Sequence, residues 1–282
     1  MGQIVLAAKV THVPSLMLSE HDGALKGRRA QAIASVKEIG RRARERGADT
    51  FLVFDTHWLS NFGFHISANA RHVGNYTSHE APHMIQDLGY DYAGNPELAD
   101  LIAAEAGKSG LEVHAHRVKS LQLEYGTIVP MHYMNADAAC KVVPVAAPLF
   151  ANIEENRKFG DACRRAIAQS DAKVAVLASG SLSHKVVSNS QVGEGQWDIV
   201  SSEFNRQMDL RVLELWGAGR YGEFVGLLPE YATKCSGEGL MADTAMLFGL
   251  LGWQSYAGKA EQLCDYFPSS GTGQVVVEFH LA

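Results

Sequence analysis

The stretch Ile4–Val10, IVLAAKV, running into Thr11–His12–Val13–Pro14, decides the fold class. Its apolar residues do not alternate with polar ones, so it reads as a strand covered on both faces, as in parallel sheets. Two other runs repeat the pattern: Thr50–Asp55 (TFLVFD) and Lys173–Ala178 (KVAVLA). Lys141–Ala146 (KVVPVA), Phe62–Ser67 and Gln274–Phe279 (QVVVEF) are expected to add further strands.

Between these runs lie helical patterns. Arg28–Arg46 carries Ala, Ile and Val on one face and stops at Gly47. Asn95 with Pro96 forms a capped start for a helix to about Ala106, and Glu154–Gln169 supplies the next. The last third reads as helices over Trp197–Trp216, Gly222–Leu228 and Met241–Leu251. Strands separated by helices of this length predict an α/β fold with a mixed, largely parallel central sheet flanked by helices. No repeat, low-complexity tract or Pro/Gly/Ser-rich linker divides the 282 residues, so one domain over 1–282 is expected.

Composition removes several function classes. The chain is 46% hydrophobic and 20% charged with a net charge of −6, which is the wrong sign for a nucleic-acid surface. The one basic run, Lys26–Arg28–Arg29 and Arg41–Arg42–Arg44–Arg46, is broken by Glu38 and Glu45 and reads as a solvated helix face. Cys140, Cys163, Cys235 and Cys264 are widely spaced, which favours free thiols over zinc binding or disulfides. No apolar stretch reaches the roughly 20 residues that span a bilayer, and no cationic-then-apolar leader opens the chain. A cytoplasmic protein with no membrane or nucleic-acid partner is expected.

Ligands of α/β proteins gather where strands give way to loops. Three strand ends here carry histidine: His12 after Val10, His57 after Asp55, and His184 in Ser179–Gly180–Ser181–Leu182–Ser183–His184 after Ala178. With 12 histidines in the chain, any one of them reads first as an ordinary core or surface residue; three in matching positions suggest a site. A metal site built on imidazoles commonly adds a carboxylate, and Glu238 in Ser236–Gly237–Glu238–Gly239–Leu240 is a candidate because flanking glycines permit a sharp turn. The plainer alternative for Glu238 is an acid at a helix start. Two imidazoles and one carboxylate leave positions open for substrate and oxygen, which suits non-haem Fe(II) rather than a closed zinc site.

Taken together, Lys9–Ser15 (KVTHVPS), Phe54–Trp58 (FDTHW) and Gly237–Gly239 (GEG) resemble the metal-ligand motifs of the class III extradiol ring-cleaving dioxygenases. Glu124–Met131 (EYGTIVPM), Ala178–His184 (ASGSLSH) and Ser269–Gln274 (SSGTGQ) are similar to further family motifs, and the resemblance runs along essentially the whole chain. It is nearest the branch that acts on homoprotocatechuate (3,4-dihydroxyphenylacetate). The resemblance implies that His12, His57 and Glu238 hold Fe(II) and that His184 is the acid/base. Members acting on protocatechuate carry a second histidine where this chain has Tyr125, which makes Tyr125 a candidate hydrogen-bond donor; its plainer reading is a core aromatic opening a helix. The implied partners are a small aromatic diol, O2 and further copies of the chain. Other rings (2-aminophenols, gallate-like diols, other substituted catechols), a non-enzymatic metal-binding relative and a zinc hydrolase are the competing readings. For an acetate substituent the sequence offers His79, His83, Arg117 and Lys119.

Overall fold

The computed structural model describes residues 1–188, 190 and 193–281. Its strands are β1 (Gln3–Val10), β2 (Thr50–Ser60), β3 (Phe64–Ser67), β4 (Arg71–Tyr76), β5 (Leu88–Ala93), β6 (Val113–His116), β7 (Lys141–Pro148), β8 (Lys173–Ser179), β9 (Ala260–Gln262), β10 (Phe267–Ser269), β11 (Thr272–Gln274) and β12 (Val277–Phe279). Its α-helices are α1 (Ser15–Leu18), α2 (Ala30–Glu45), α3 (Pro96–Lys108), α4 (Tyr125–Met134), α5 (Ile153–Gln169), α6 (Glu203–Gly217), α7 (Tyr221–Lys234) and α8 (Ala242–Leu251).

Eight strands form one mixed sheet in the order β6-β3-β7-β2-β8-β1-β12-β9. Its centre, β7-β2-β8-β1, is parallel, and antiparallel pairs enter at β3-β7 and on the β12-β9 edge. The absence of alternation now has its cause. Leu52 and Phe54 of β2 point into a core shared with α3, α5 and α8, while Phe51 and Val53 point into a second core beneath α2 and α4. Burying each such side chain contributes about 1.5–3 kcal/mol. No helix among the described residues is long and apolar enough to cross a membrane.

Several local expectations change. The helix placed at Trp197 begins at Glu203 instead: Trp197 lies in a 3-10 turn, Val200 bridges Gly271, and the Ser202 hydroxyl caps α6 by accepting from the Asn205 N–H. The short helix at Gly222–Leu228 is α7, fourteen residues long and continuous through Pro229. Gln274–Phe279 is not one strand, because β11 turns back on β10 while β12 joins the main sheet. The Arg28–Arg46 run is not simply a solvated face. Arg29 is buried with its guanidinium 5.0 Å from the Phe267 ring, and Arg42 and Arg46 reach the fully buried Glu278 at 2.7 and 2.6 Å.

Candidate metal centre and active site

Strand register brings the motifs together. Val10 of β1 and Asp55 of β2 both pair with Ser179 of β8, so three adjacent strands reach one level side by side. His12, His57 and Ser181 each lie two residues beyond that row. β2 does not stop at Asp55: residues 56–58 bulge out of the ladder, and pairing with β7 resumes at Leu59. A bulge re-aims side chains beside a site. The buried Asp55 carboxylate holds this one, accepting the His57 and Trp58 N–H groups at 2.8 and 3.1 Å and the Thr127 hydroxyl at 2.7 Å. Burial pushes the Asp55 carboxyl up, opposed by the His12 imidazole and the Thr127 bond. Gly126 is required beside it, since a Cβ there would lie 1.9 Å from Asp55 Oδ1.

His12 is buried, and its tautomer can be read from its neighbours. The Ser179 hydroxyl gives its hydrogen to the Gly126 carbonyl, so toward His12 Nδ1, 3.0 Å away, it can only accept. Nδ1–H therefore donates to Ser179, which leaves Nε2, 3.0 Å from Glu238 Oε1, as the nitrogen that can ligate a metal or, when protonated, donate to that carboxylate. Glu238 is equally well anchored. Thr56 donates to Oε1 at 2.7 Å, and both the N–H and hydroxyl of Ser181 donate to Oε2. Burial alone would raise this carboxyl; the His12 and His184 imidazoles and the Ser181 bonds outweigh it and hold it well below the ordinary range. The turn behind Glu238 is left-handed at Gly239, Leu240 and Met241 (φ 53, 54 and 60°). Glycine adopts this freely, whereas Leu240 and Met241 each carry about 1–2 kcal/mol of strain. Beneath, Lys9 and Asp243 form an ion pair with no exposure to solvent.

His57 faces the same region without joining the pair. Its ring centroid is 6.3 Å from that of His12 and 3.6 Å from that of Tyr125. Its Nε2 lies 3.1 Å from Glu80 and its Nδ1 3.4 Å from Glu124. Burial lowers its pKa, but Glu124 and Glu80 prevail and take it up to about 10. The Tyr125 hydroxyl also donates to Glu80. Burial and that carboxylate push the phenol far up, so it remains a donor.

Two cavities of about 490 and 440 Å3 meet here, sharing Glu80, Tyr125, His184 and Glu238 in their walls. His12 lines the first and His57 the second. His184 is exposed into this space, with its backbone fixed by donation to the Ser236 carbonyl and by a bridge to Thr272. Of the substituent candidates, His83 lines the larger cavity; Arg117 and Lys119 line another with His72, and Arg117 pairs with Asp100. Sequence reasoning missed Glu80, Glu124 and the anchoring roles of Thr56, Ser179 and Ser181. Ser179 and Ser181 stood inside a recognised motif, whereas Glu80 had no signal because it hangs from the unforeseen β4–β5 hairpin.

Among the described residues, the group of donors whose ligand atoms all lie within 4.8 Å of one another is Glu261, Glu278 and His280, a span that His12, His57 and Glu238 do not meet. Arg42 and Arg46 already neutralise its carboxylates, so it reads as a charge staple.

A family model described as the catalytic LigB subunit of aromatic ring-opening dioxygenase matches residues 6–280. The chain belongs to this family. Ring-opening dioxygenases of this kind are metal-dependent enzymes acting on an aromatic substrate and O2. The chain is 51% identical over 266 residues to a 3,4-dihydroxyphenylacetate 2,3-dioxygenase of Escherichia coli, covering 93% of this chain and 95% of that one. It is 25% identical over 299 residues to a 2-aminophenol 1,6-dioxygenase beta subunit of a Pseudomonas species, covering 99% and 95%. Among solved structures, an uncharacterised Escherichia coli K12 protein matches with a TM-score of 0.66 over 98% of this chain and 100% of that one. At 15% identity that likeness shows the fold alone.

Proposed function

We propose that this dioxygenase cleaves 3,4-dihydroxyphenylacetate in the extradiol sense, incorporating both atoms of O2 to give a 2-hydroxymuconate-semialdehyde product, with Fe(II) held by His12, His57 and Glu238. The observation that carries the metal assignment is the His12–Glu238 pair, an imidazole Nε2 3.0 Å from a carboxylate oxygen beside the cavities. Two ligands at about 2.1 Å on adjacent positions of one ion are separated by about 3.0 Å, so the pair fits a cation. His57 completes the set on exchanging Glu80 for the ion. The substrate assignment rests on the 51% identity to the Escherichia coli enzyme.

Bound Fe(II) supplies Lewis acidity and the one-electron chemistry that dioxygen requires. The protein's side chains do the rest. Ser179 keeps His12 in the tautomer that ligates, and Ser181 and Thr56 keep Glu238 aimed. His184 accepts a proton from the second ring hydroxyl and returns it during ring opening, since a neutral imidazole offers a basic ring nitrogen and its protonated form an acidic N–H. Tyr125 donates a hydrogen bond to substrate oxygen from its place over His57. Assembly of several copies and a cytoplasmic location complete the proposal.

The test is oxygen uptake by anaerobically iron-loaded protein against 3,4-dihydroxyphenylacetate, protocatechuate, gallate, catechol and 2-aminophenol. The first should give the highest kcat/KM, one O2 per ring and a yellow product. A higher kcat/KM for another ring would overturn the substrate assignment, and equal activity with Zn(II) would overturn the metal.

A further inference from the structure

His184 is the one proposed catalytic side chain whose ring is hydrogen-bonded by no side chain among the described residues, so its position is inherited from its backbone. That backbone is gripped one residue earlier. The carboxylate of Asp209, on α6, is fully buried and accepts four hydrogen bonds. Oδ1 takes the Ser183 N–H at 3.1 Å and the Tyr231 hydroxyl at 2.5 Å; Oδ2 takes the Ser183 hydroxyl at 2.7 Å and the Tyr266 hydroxyl at 2.5 Å. The backbone of β11 packs against it so closely that a Cβ on Gly273 would lie 1.9 Å from Oδ2. All four donors are neutral, and burying a carboxylate without a cation costs several kcal/mol. Such a group is a poor choice for stability alone.

The grip is bidentate, fixing both the peptide and the side-chain rotamer of Ser183, one peptide bond from His184. Ser181 holds Glu238 in the same way, through its own N–H and hydroxyl. The segment Ser181–His184 is thus pinned by two carboxylates, Glu238 on the metal side and Asp209 on the far side. Tyr231 and Tyr266 bring α7 and the approach to β10 into the second clamp, so Asp209 ties His184 to the helical layer.

We infer that Asp209 is the positioning residue of His184, setting where the acid/base stands over the substrate without touching substrate or metal. This rests on the reading of His184 given above. Misplacing a catalytic group by about 1 Å costs about 10²-fold. Loosening the Ser183 clamp should therefore lower kcat while leaving the metal ligands and the ring-binding walls alone.

The experiment compares iron-loaded wild type, Asp209→Ala, Asp209→Asn, Ser183→Ala, His184→Ala and the His184→Ala/Asp209→Ala double variant, each normalised to bound iron, with 3,4-dihydroxyphenylacetate. Asp209→Ala should bind Fe(II) within about threefold of wild type, lose about 10–100-fold in kcat and change KM by less than about threefold. Asp209→Asn keeps an oxygen for the Ser183 N–H, and the serine and tyrosine hydroxyls can turn to accept from its amide, so it should recover most of the loss. In the His184→Ala background, Asp209→Ala should cost less than about twofold, because a residue acting through His184 has nothing left to position. An equal penalty in both backgrounds overturns the inference, as does wild-type kcat in Asp209→Ala, or loss of iron in that variant. Should Asp209→Ala not fold, Ser183→Ala, which deletes a single hydroxyl, must show the same kcat-specific loss at about 3–10-fold, and wild-type kcat there is fatal to the idea. Full turnover in His184→Ala itself would sink the underlying reading instead, and is distinguished by that single variant.

Discussion

Glu238→Gln separates the metal role of this residue from its structural one. The wild-type side chain accepts from the Ser181 N–H and hydroxyl at Oε2 and from Thr56 at Oε1, and Oε1 faces His12 Nε2. A glutamine fits each of these partners. Its oxygen must sit on the Ser181 side, because a peptide N–H cannot accept. Its amide then points at His12 Nε2, which accepts, and at Thr56, which also accepts after giving its hydrogen to the Ser179 carbonyl 2.8 Å away. Charge-assisted bonds of about 1.5–3 kcal/mol become neutral ones of about 0.5–1.5 kcal/mol, while the cost of burying a charge disappears. The two changes oppose each other, so the stability of chelator-treated protein should move by no more than about 1 kcal/mol. Metal binding has no such compensation. The anionic ligand is lost and an amide N–H faces the ion, so Fe(II) affinity should fall by at least 10²-fold, about 2.7 kcal/mol. Glu238→Ala should lose both, since it strands the buried Ser181 N–H at about 1–3 kcal/mol. Urea unfolding in chelator and anaerobic Fe(II) titration measure the two quantities separately. Wild-type iron affinity in Glu238→Gln would refute the ligand assignment; instability equal to that of the alanine variant would refute the hydrogen-bond reading.

Three further outcomes are expected. His184→Ala should keep its iron and lose 10²–10⁴-fold in kcat, and near wild-type turnover of the iron-replete variant would remove His184 from the chemistry. Gly126→Ala should lower stability by at least about 2 kcal/mol, because its Cβ must displace the Asp55 carboxylate that holds the His57 bulge; an unchanged urea midpoint would show that α4 yields freely. Arg42 holds the Glu261 carboxyl down to about 2, below its ordinary 4.5, so that pair stabilises the fold above pH 4.5 and its contribution fades as pH falls toward 2. The side chain is over a third exposed, so Glu261→Gln should cost only about 0.5 kcal/mol at neutral pH, with the gap to wild type narrowing below pH 4.5; a gap that widened on acidification would contradict the sign.

What the sequence made legible was what local pattern controls. β1, β2 and β8 announced themselves because strands covered on both faces carry unbroken apolar runs, and the histidines stood out because strands end where those runs end. The β4–β5 hairpin was invisible: Arg71–His72–Val73–Gly74–Asn75–Tyr76 has too few apolar residues and an internal glycine, and its pairing partner begins twelve residues later with Leu88. With it went Glu80, which the hairpin's connection carries to His57 and Tyr125. α7 was cut short on paper at Pro229, although packing of Tyr221, Phe224, Leu228 and Tyr231 carries the helix through.

Carboxylates show the limit most clearly. Asp55, Asp209, Glu238 and Asp243 are all buried, and nothing in their immediate sequence distinguishes a metal ligand from a structural acid. Their partners do, and those partners lie far away in the chain. Asp55 is filled by two backbone N–H groups and a hydroxyl, Asp209 by one N–H and three hydroxyls, and Asp243 by the buried ammonium of Lys9. Each of these is complete as it stands and lines neither of the two cavities. Glu238 alone of the four opens onto both cavities and has, on one oxygen, a second potential ligand as its neighbour, His12 Nε2. Two electron pairs facing each other across 3.0 Å repel unless a proton or a cation lies between them. The Ser179 bond already uses Nδ1–H, so what fills that gap is either a second imidazole proton on Nε2 or, on the proposal above, the Fe(II) ion that displaces it.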